Sequence, residues 1–277
     1  MKKISNKIPF AFIFIFTTLL LFVGCAPKGN PEEVLNNYYQ NVKDGNVEGA
    51  YETLSEQTKK NFTKEDFSRW LDIKKETTTL KETKLEKDNE YKNKELDGIK
   101  FKNVMEFKVT EKINNLYDNK DKSLNYKRSV VNDNGNWKVY RGKENGKQLV
   151  ADSLRELGWL YIEGKGSKTK DLNQAATILN EALKYDKELP GIYYGLAYVY
   201  SDLGRYDEAM KQAKLFIEKT KDNKEKSDGY NVLGIIYQYK NQYNEGKKCF
   251  DESLKLNPDN QYAKTNLENL KQLNSLN

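Results

Sequence analysis

The sequence lacks histidine entirely and has only two cysteines, Cys25 and Cys249, in 277 residues. Without histidine, neither a Ser-His-Asp nor a Cys-His catalytic arrangement can form, and zinc sites that contain histidine are excluded. Two cysteines are too few for a cysteine zinc cluster, and they permit one disulfide bond at most. These absences exclude the commonest catalytic and zinc sites, and we predict no metal or cofactor; of the two hypotheses weighed below, the favoured one is a protein that is not an enzyme.

A dominant charge of either sign is also missing. The chain has 47 Lys and Arg residues against 41 Asp and Glu residues, which gives a net formal charge of +6. Three basic residues, Lys2, Lys3 and Lys7, lie at the N-terminus, and beyond them the two signs are interspersed. Phosphate recognition needs basic groups concentrated on one face, so we expect no nucleic-acid partner.

One long apolar run is present at residues 8–23, interrupted only by Thr17 and Thr18. It is shorter than the roughly 20 residues that a membrane-spanning helix needs, but its basic start and its length are typical of a secretory signal. The run ends in Phe22-Val23-Gly24-Cys25 and has no Ala-x-Ala-like cleavage site. This ending resembles the bacterial lipobox, in which a small residue precedes the cysteine that becomes acylated. The lipobox most often has Leu where this chain has Phe22.

The lipobox resemblance implies that residues 1–24 are a signal peptide, that Cys25 becomes the lipidated N-terminus, and that residues 25–31 are a tether. A diacyl or triacyl anchor would hold the protein at the extracytoplasmic face of the cell membrane. The alternative for this segment is an uncleaved signal anchor. A disulfide bond is not expected, because Cys249 is predicted to be a buried structural thiol.

Helical periodicity opens the region of residues 32–147. It begins at Pro31, whose fixed φ suits a first helical turn, and it stops at Asp44-Gly45-Asn46. A second helix is predicted from about Val47. A third is predicted to start after Thr63, an N-cap flanked by two phenylalanines that are typical of a hydrophobic staple.

From about residue 77 the period changes to two. Between Ile99 and Val109, apolar residues alternate with mostly polar ones, which predicts a strand with one buried face. Asn132-Asp133-Asn134-Gly135 is a hairpin turn signal. Helices followed by antiparallel strands predict an α+β domain.

The helical stretch "YYQNVKDGNVEGAYETLS" and the strand ending "NGNWKVYRG" resemble the nuclear transport factor 2-like fold. The resemblance implies a curved sheet wrapped on helices around a conical cavity, in which some relatives carry catalytic Asp with His or Tyr. Two interpretations stay open for this chain: a small-molecule pocket built from carboxylates and tyrosines, or a cavity filled by Tyr38, Tyr51, Trp70 and Phe107.

Residues 150–277 are self-similar. Leu157-Gly158-x-x-Tyr161 recurs as Leu196-Ala197-x-x-Tyr200 and as Leu233-Gly234-x-x-Tyr237, and each copy is followed by a small residue, Ala175, Ala209 or Gly246. The pattern resembles the tetratricopeptide repeat, in which small residues let paired helices cross closely. It implies an all-α solenoid of three units, at about 151–189, 190–223 and 227–260, with a capping helix at 261–275. The extra residues Gly164–Lys170 and Lys224–Lys226 are predicted to lie in loops.

The first helices of such an array line a concave groove, and the register predicts which side chains face it. These are Arg155, Trp159, Glu163, Tyr194, Tyr198, Asp202, Asn231, Ile235 and Tyr239. Aromatic residues with one arginine suit an extended peptide or protein segment with apolar side chains. The carboxylate clamp of chaperone-binding members of the family is not expected, because Asp228 and Val232 stand at matching places. The alternative for the aromatic residues is packing against a neighbouring helix or the α+β domain.

Two hypotheses follow for the whole chain. The first is a membrane-anchored lipoprotein that acts as a non-enzymatic scaffold, docking a protein or peptide partner through the repeat groove. The second is a protein that binds or converts a small molecule in the cavity of the α+β domain. Neither hypothesis specifies an oligomeric state.

Overall fold

The computed structural model describes residues 27–275, with side chains to residue 272. Cys25 and the predicted signal peptide lie outside the described residues. The helices of the first half are α1 Pro31–Asp44, α2 Val47–Glu52, α3 Glu56–Asn61 and α4 Lys64–Thr77. The strands are β1 Thr78–Leu96, β2 Ile99–Asn115, β3 Lys120–Asp133 and β4 Asn136–Tyr140. The helices of the second half are α5 Gly146–Glu163, α6 Leu172–Tyr185, α7 Pro190–Asp202, α8 Tyr206–Lys219, α9 Asn223–Tyr239, α10 Tyr243–Leu256 and α11 Gln261–Ser275.

Local capping places the first helices. The Asn30 side chain accepts a hydrogen bond from the Glu32 amide at the start of α1, and Gly45 ends that helix with φ of 71°. Thr63 caps α4 as predicted, with its hydroxyl accepting from the Asp66 amide at 3.2 Å. Helix α3, a six-residue helix capped by Ser55, was not predicted from the sequence. Six residues without an apolar stripe give no helical period to detect.

The four strands form one antiparallel meander in the order β1-β2-β3-β4. The predicted β3–β4 hairpin is present, with Asn134 and Gly135 at φ of 52° and 83°. Positive φ at both central residues of a two-residue turn matches the twist of the strands, which favours Asn-Gly. One face of the sheet packs on α1 and α4 through Phe107, Val109 and Val139.

The opposite face of the sheet is less exposed than the alternation predicted. Val104 and Glu106, expected on the wet face of β2, are buried. Val104 belongs to a second apolar cluster with Phe101, Val131 and Tyr140. The end of the β1–β2 hairpin covers this face. The Tyr140 hydroxyl of β4 donates a hydrogen bond of 3.0 Å to Asp97 in that hairpin's turn.

The second half consists of the helix pairs α5/α6, α7/α8 and α9/α10, followed by α11. Close crossing within a pair depends on glycine. A Cβ on Gly158 would lie 2.8 Å from Leu179, and one on Gly234 would lie 2.5 Å from Phe250. The prediction of a loop at Lys224–Lys226 is wrong, because Asp222 caps α9 through the amides of Lys224 and Glu225 and draws these residues into its first turn.

The two halves share a core where α4 packs on α5. Ile73 of α4 is fully buried among the apolar residues of the repeats, including Val150 and Leu154 of α5. Trp70 contacts both this cluster and the core under the sheet. At the edge, the Arg69 guanidinium makes two hydrogen bonds of 2.8 and 2.9 Å with the Glu181 carboxylate of α6. The sheet and the repeats therefore form one body.

The start of the described chain is joined to the sheet. The Lys28 amide donates to the Gly135 carbonyl at 2.9 Å, in the turn between β3 and β4. The segment predicted as a tether therefore contacts the folded body at Lys28. No helix within residues 27–275 has the length and apolarity needed to cross a membrane.

Replacing Ile73 by Ala tests the shared core. We expect the free energy of unfolding to fall by about 2–5 kcal/mol, because the change leaves a cavity that both halves line. Denaturant titration monitored by tryptophan fluorescence measures this value. The neighbouring Asp72→Ala substitution, on the exposed face of α4, is the control and should change stability by about 0.5 kcal/mol or less. Equal effects of the two substitutions would contradict the shared core.

Candidate functional site

The first helices of the repeats carry a continuous aromatic surface. The Trp159 ring of α5 lies 6.0 Å from the Tyr194 ring and 5.9 Å from the Tyr198 ring, both on α7. Tyr194 in turn contacts Phe216 of α8, with ring centroids 5.0 Å apart. We call Trp159, Tyr194 and Tyr198 the aromatic floor. Tyr198 remains 38% exposed, so the floor is open to a ligand.

A cavity of about 460 Å³ lies over one end of this floor. Its lining comes from all three repeats: Asp152, Arg155, Trp159, Leu189, Pro190, Gly191, Tyr194, Phe216, Glu225 and Asp228. Three carboxylates and one guanidinium therefore surround apolar and aromatic side chains. We call this space the groove cavity.

Two carboxylates of the groove cavity are held in an unfavourable setting for negative charge. Burial, followed by the nearby charge of Asp186, raises the pKa of Asp152 despite the opposing effect of Arg155. Burial also raises the pKa of Asp228, and Glu225 and Asp222 add to that effect. The Asp228 carboxylate accepts a 3.0 Å hydrogen bond from the Asn260 amide group. Among the described residues, none with a positive charge makes an ion pair with it.

The β2–β3 turn closes the other end of the aromatic floor. A second cavity, of about 320 Å³, is lined by Arg155 and Trp159 together with Thr77, Asn115 and Tyr117. The Tyr117 hydroxyl donates to Glu163. The groove is therefore bounded by the sheet domain as well as by the repeats.

The insertion in the first repeat holds this turn in place. A Cβ on Gly166 would lie 2.8 Å from the Leu116 carbonyl, so the loop and the turn touch through their backbones. The Lys165 ammonium lies 3.9 Å from the centre of the Tyr117 ring. Residues 164–170 were predicted to lie in a loop, but no pattern in the sequence indicates this contact.

The predicted groove residues separate into two groups in the structure. Arg155, Trp159 and Tyr194 line one cavity, and Tyr198 lies beside them. Glu163 and Asp202 lie at the margin, where Lys165 pairs with Glu163 and Lys170 approaches Asp202 at 3.7 Å.

The residues predicted on the third repeat contribute less to the groove. Asn231 is only 8% exposed and accepts a hydrogen bond from Asn266 of α11, so it contacts the capping helix. Ile235 is half-buried, and Tyr239 is 55% exposed and stacks on Tyr206 of α8. Three residues that line the two cavities, Asp152, Phe216 and Tyr117, were not among the predicted groove residues.

The interior of the α+β domain is filled largely by side chains. Tyr38 and Phe107 are buried, and Trp70 and Tyr51 are half-buried. A pocket of about 240 Å³ remains near Glu111, whose pKa is raised by burial. Among residues 27–272, no group of three or more acidic, cysteine or histidine side chains is placed to hold a metal ion.

A buried charge network ties the end of the sheet to α1 and to the segment before α5. The Arg141 guanidinium donates to the Glu144 carboxylate and to the Tyr38 hydroxyl. Arg128 of β3 donates to the same carboxylate at 2.9 Å. Burial alone would raise the pKa of Glu144, but the two guanidinium groups hold it below its usual range. Glu144 is therefore an anion that two arginines, one in β3 and one directly after β4, fix in place.

Comparison with protein families identifies the second half of the chain. Sequence models of the tetratricopeptide repeat match residues 168–226 and residues 227–260. The C-terminal half therefore contains tetratricopeptide repeats. The matches cover about a third of the chain, and both lie outside the α+β domain.

Three solved structures that match the second half of the chain have low sequence identity to it. The tetratricopeptide domain of Arabidopsis OM64 is 21% identical, with 46% of this chain and 98% of that chain covered and a TM-score of 0.40. The second such domain of human RPAP3, in complex with the HSP70 peptide SGPTIEEVD, is 24% identical, with 44% and 94% covered and a TM-score of 0.38. The N-terminal domain of stress-induced protein-1 from C. elegans is 20% identical, with 46% and 99% covered and a TM-score of 0.39. A search of curated proteins returned no match.

The thiol of Cys249 should react slowly. It is half-buried against the repeat core, and burial raises its pKa to about 11. Since the thiolate is the reactive form, a Cys25→Ser variant should react with Ellman's reagent at pH 8 about 100-fold more slowly than an ordinary thiol with a pKa of about 8.5. The rate should rise with pH up to about 11.

The same variant unfolded in guanidinium chloride provides the control for Cys249, because the thiol is then exposed and reacts at the ordinary rate. A native rate within threefold of the unfolded rate would contradict the assignment of Cys249 as a structural thiol.

Proposed function

We propose that the protein is a membrane-anchored extracytoplasmic lipoprotein that docks a protein or peptide partner in its repeat groove and has no enzymatic activity of its own. The observation that carries the proposal is the open aromatic floor of Trp159, Tyr194 and Tyr198, set in tetratricopeptide repeats. Tyr198 is exposed, and Trp159 and Tyr194 are half-buried beside a cavity; aromatic side chains in such a setting are typical of binding hot spots.

The lipobox-like ending at Cys25 supports the anchor in this proposal. Lys28 follows three residues later and is bonded to the β3–β4 turn. The opposite end of β3 begins beside the β2–β3 turn, which borders the groove. Fourteen residues of strand at roughly 3.3 Å each span about 45 Å. The α+β domain would then act as a rigid spacer between the membrane and the groove.

A nuclear transport factor 2-like identity for this spacer is part of the proposal. Its support is the order of helices before an antiparallel meander, with the helices packed on one face of the sheet. Register shifts in β1 at Leu80/Glu82 and Lys87/Asn89 are of the kind that bend a strand.

A second candidate function uses the pocket near Glu111. In its favour, a carboxyl with a raised pKa lies near the Tyr39 and Tyr126 hydroxyls, which share a 2.8 Å hydrogen bond. Against it, the pocket is small and the side chains behind it are packed. Glu111→Gln should therefore leave the partners captured by the protein unchanged if the groove is the functional site.

The groove can be tested in the organism's own envelope. We expect a Tyr194→Ala, Tyr198→Ala double variant to lose at least 90% of the partner that wild-type protein retains after crosslinking and pull-down, because both rings contribute to the aromatic floor. Quantitative mass spectrometry measures the retained partner. Tyr243→Ala, on the second helix α10, is the control and should retain it. Full retention by the double variant would contradict docking in the groove.

The anchor needs a separate test. We expect wild-type protein to incorporate an alkyne-labelled fatty acid and to lack residues 1–24 in its intact mass. Cys25→Ser should abolish the label and leave the precursor mass, since serine has no thiol to acylate. Ser55→Ala, within the folded body, is the labelling control. An unlabelled wild-type protein of precursor mass would instead support the uncleaved signal anchor.

A further inference from the structure

We infer that the groove selects a peptide segment that carries a lysine or arginine side chain next to apolar or aromatic residues. The inference rests on the proposed function and specifies the chemistry of the partner. It follows from the charges of the groove cavity, from its aromatic floor and from the second cavity beside it.

The charges of the groove cavity favour a cation. Asp152 lies on the first repeat, and Asp228 and Glu225 lie on the third. The single basic side chain in the lining, Arg155, approaches the Asp152 carboxylate at 3.7 Å. Asp228 has an amide donor and, within the described part of the chain, no ion-pair partner. A ligand ammonium or guanidinium would complete this arrangement.

The aromatic floor gives the same ligand a second interaction. A cation over the face of Trp or Tyr is attracted by the ring quadrupole, and Trp is the strongest of these partners. The apolar stem of a lysine or arginine would lie on Tyr194 and Trp159 while its charged head reaches Asp228. An acidic side chain at the same place would instead face three carboxylates.

The lining of the second cavity indicates which peptide side chains would lie next to the basic residue. It shares Arg155 and Trp159 with the groove cavity, and it adds Leu160, Tyr117, Thr77, Asn115 and Glu156. A peptide that continues along the floor would therefore place its next side chains against Trp159 and the β2–β3 turn. Apolar or aromatic side chains fit against the part of this lining formed by Trp159, Leu160 and Tyr117.

The experiment is selection from a phage-displayed library of random decapeptides on the immobilised full mature protein. We expect the enriched sequences to share one Lys or Arg with apolar or aromatic neighbours. A synthetic copy of an enriched peptide should bind at least tenfold more tightly than copies with norleucine or Glu in place of the basic residue. Fluorescence anisotropy measures this, and binding should weaken as salt is raised.

Variants identify the carboxylates that select the basic residue. Asp152→Asn with Asp228→Asn should weaken binding of the enriched peptide about tenfold and abolish the preference for Lys over norleucine. Asp251→Asn, an acidic residue that pairs with Lys247 on α10, is the matched control and should change neither value. Thermal melting of each variant shows whether the fold is kept.

The outcomes separate this inference from the proposed function. Enriched peptides that lose binding in Tyr194→Ala, Tyr198→Ala but are acidic or uncharged would overturn the inference and leave the groove as a docking site. The same holds if the double Asn variant keeps the preference for Lys. Absence of any peptide that depends on the two tyrosines would overturn both.

Discussion

The packing of α4 against α5 is the constraint on which the rest of the structure depends. Phe62, just before α4, lies so close to Gly146, at the start of α5, that a Cβ there would be 2.3 Å from the Phe62 ring. From this contact the two helices run along each other, with Ile73 buried among repeat residues. Near their far ends, Thr77 and Leu160 line the same cavity. Two modules that many chains would join by a flexible linker are therefore held in one orientation.

Buried charge reinforces the same junction. The segment between β4 and α5 contains Glu144, which accepts hydrogen bonds from Arg128 and Arg141. The Arg141 guanidinium also lies 4.8 Å from the centre of the Trp70 ring on α4. A buried ion is costly to leave unpaired. Movement of this segment away from the sheet would remove the carboxylate partner of Arg128 and Arg141 and would therefore be unfavourable. The contact of Gly166 with Leu116 fixes the opposite end of the first repeat.

Features specified by neighbouring residues could be predicted from the sequence, and features that depend on distant contacts could not. The caps of α1 and α4, the Asn-Gly turn and the paired helices of the repeats each follow from residues within a few positions of one another. Val104 is different, because its burial depends on residues from the end of the β1–β2 hairpin, Tyr91, Leu96 and Ile99, which pack against its cluster.

The residues of the candidate site show the same difference between what local sequence specifies and what distant contacts specify. Helical register alone placed Arg155, Trp159 and Tyr194 on one surface, where they line a common cavity. Asn231 has the same register in its own repeat, yet the capping helix α11 covers it. Tyr117 comes from a different domain, and its place beside Glu163 requires the whole junction to be built first.

Rigidity has a consequence for how such a groove would work under the proposed anchoring. A flexible linker lets a tethered module search a large volume, whereas a short tether on a single body restricts both height and orientation. Since Lys28 is bonded to the β3–β4 turn, the proposed anchor point at Cys25 is only three residues away in sequence from a residue of the folded body. Under the proposed anchoring, the groove would then stay within a narrow range of heights above the membrane, at a distance of about the length of β3. Under the same anchoring, a partner confined to that range of heights would meet the groove at a high effective concentration, so modest affinity for the proposed basic segment would be sufficient for docking.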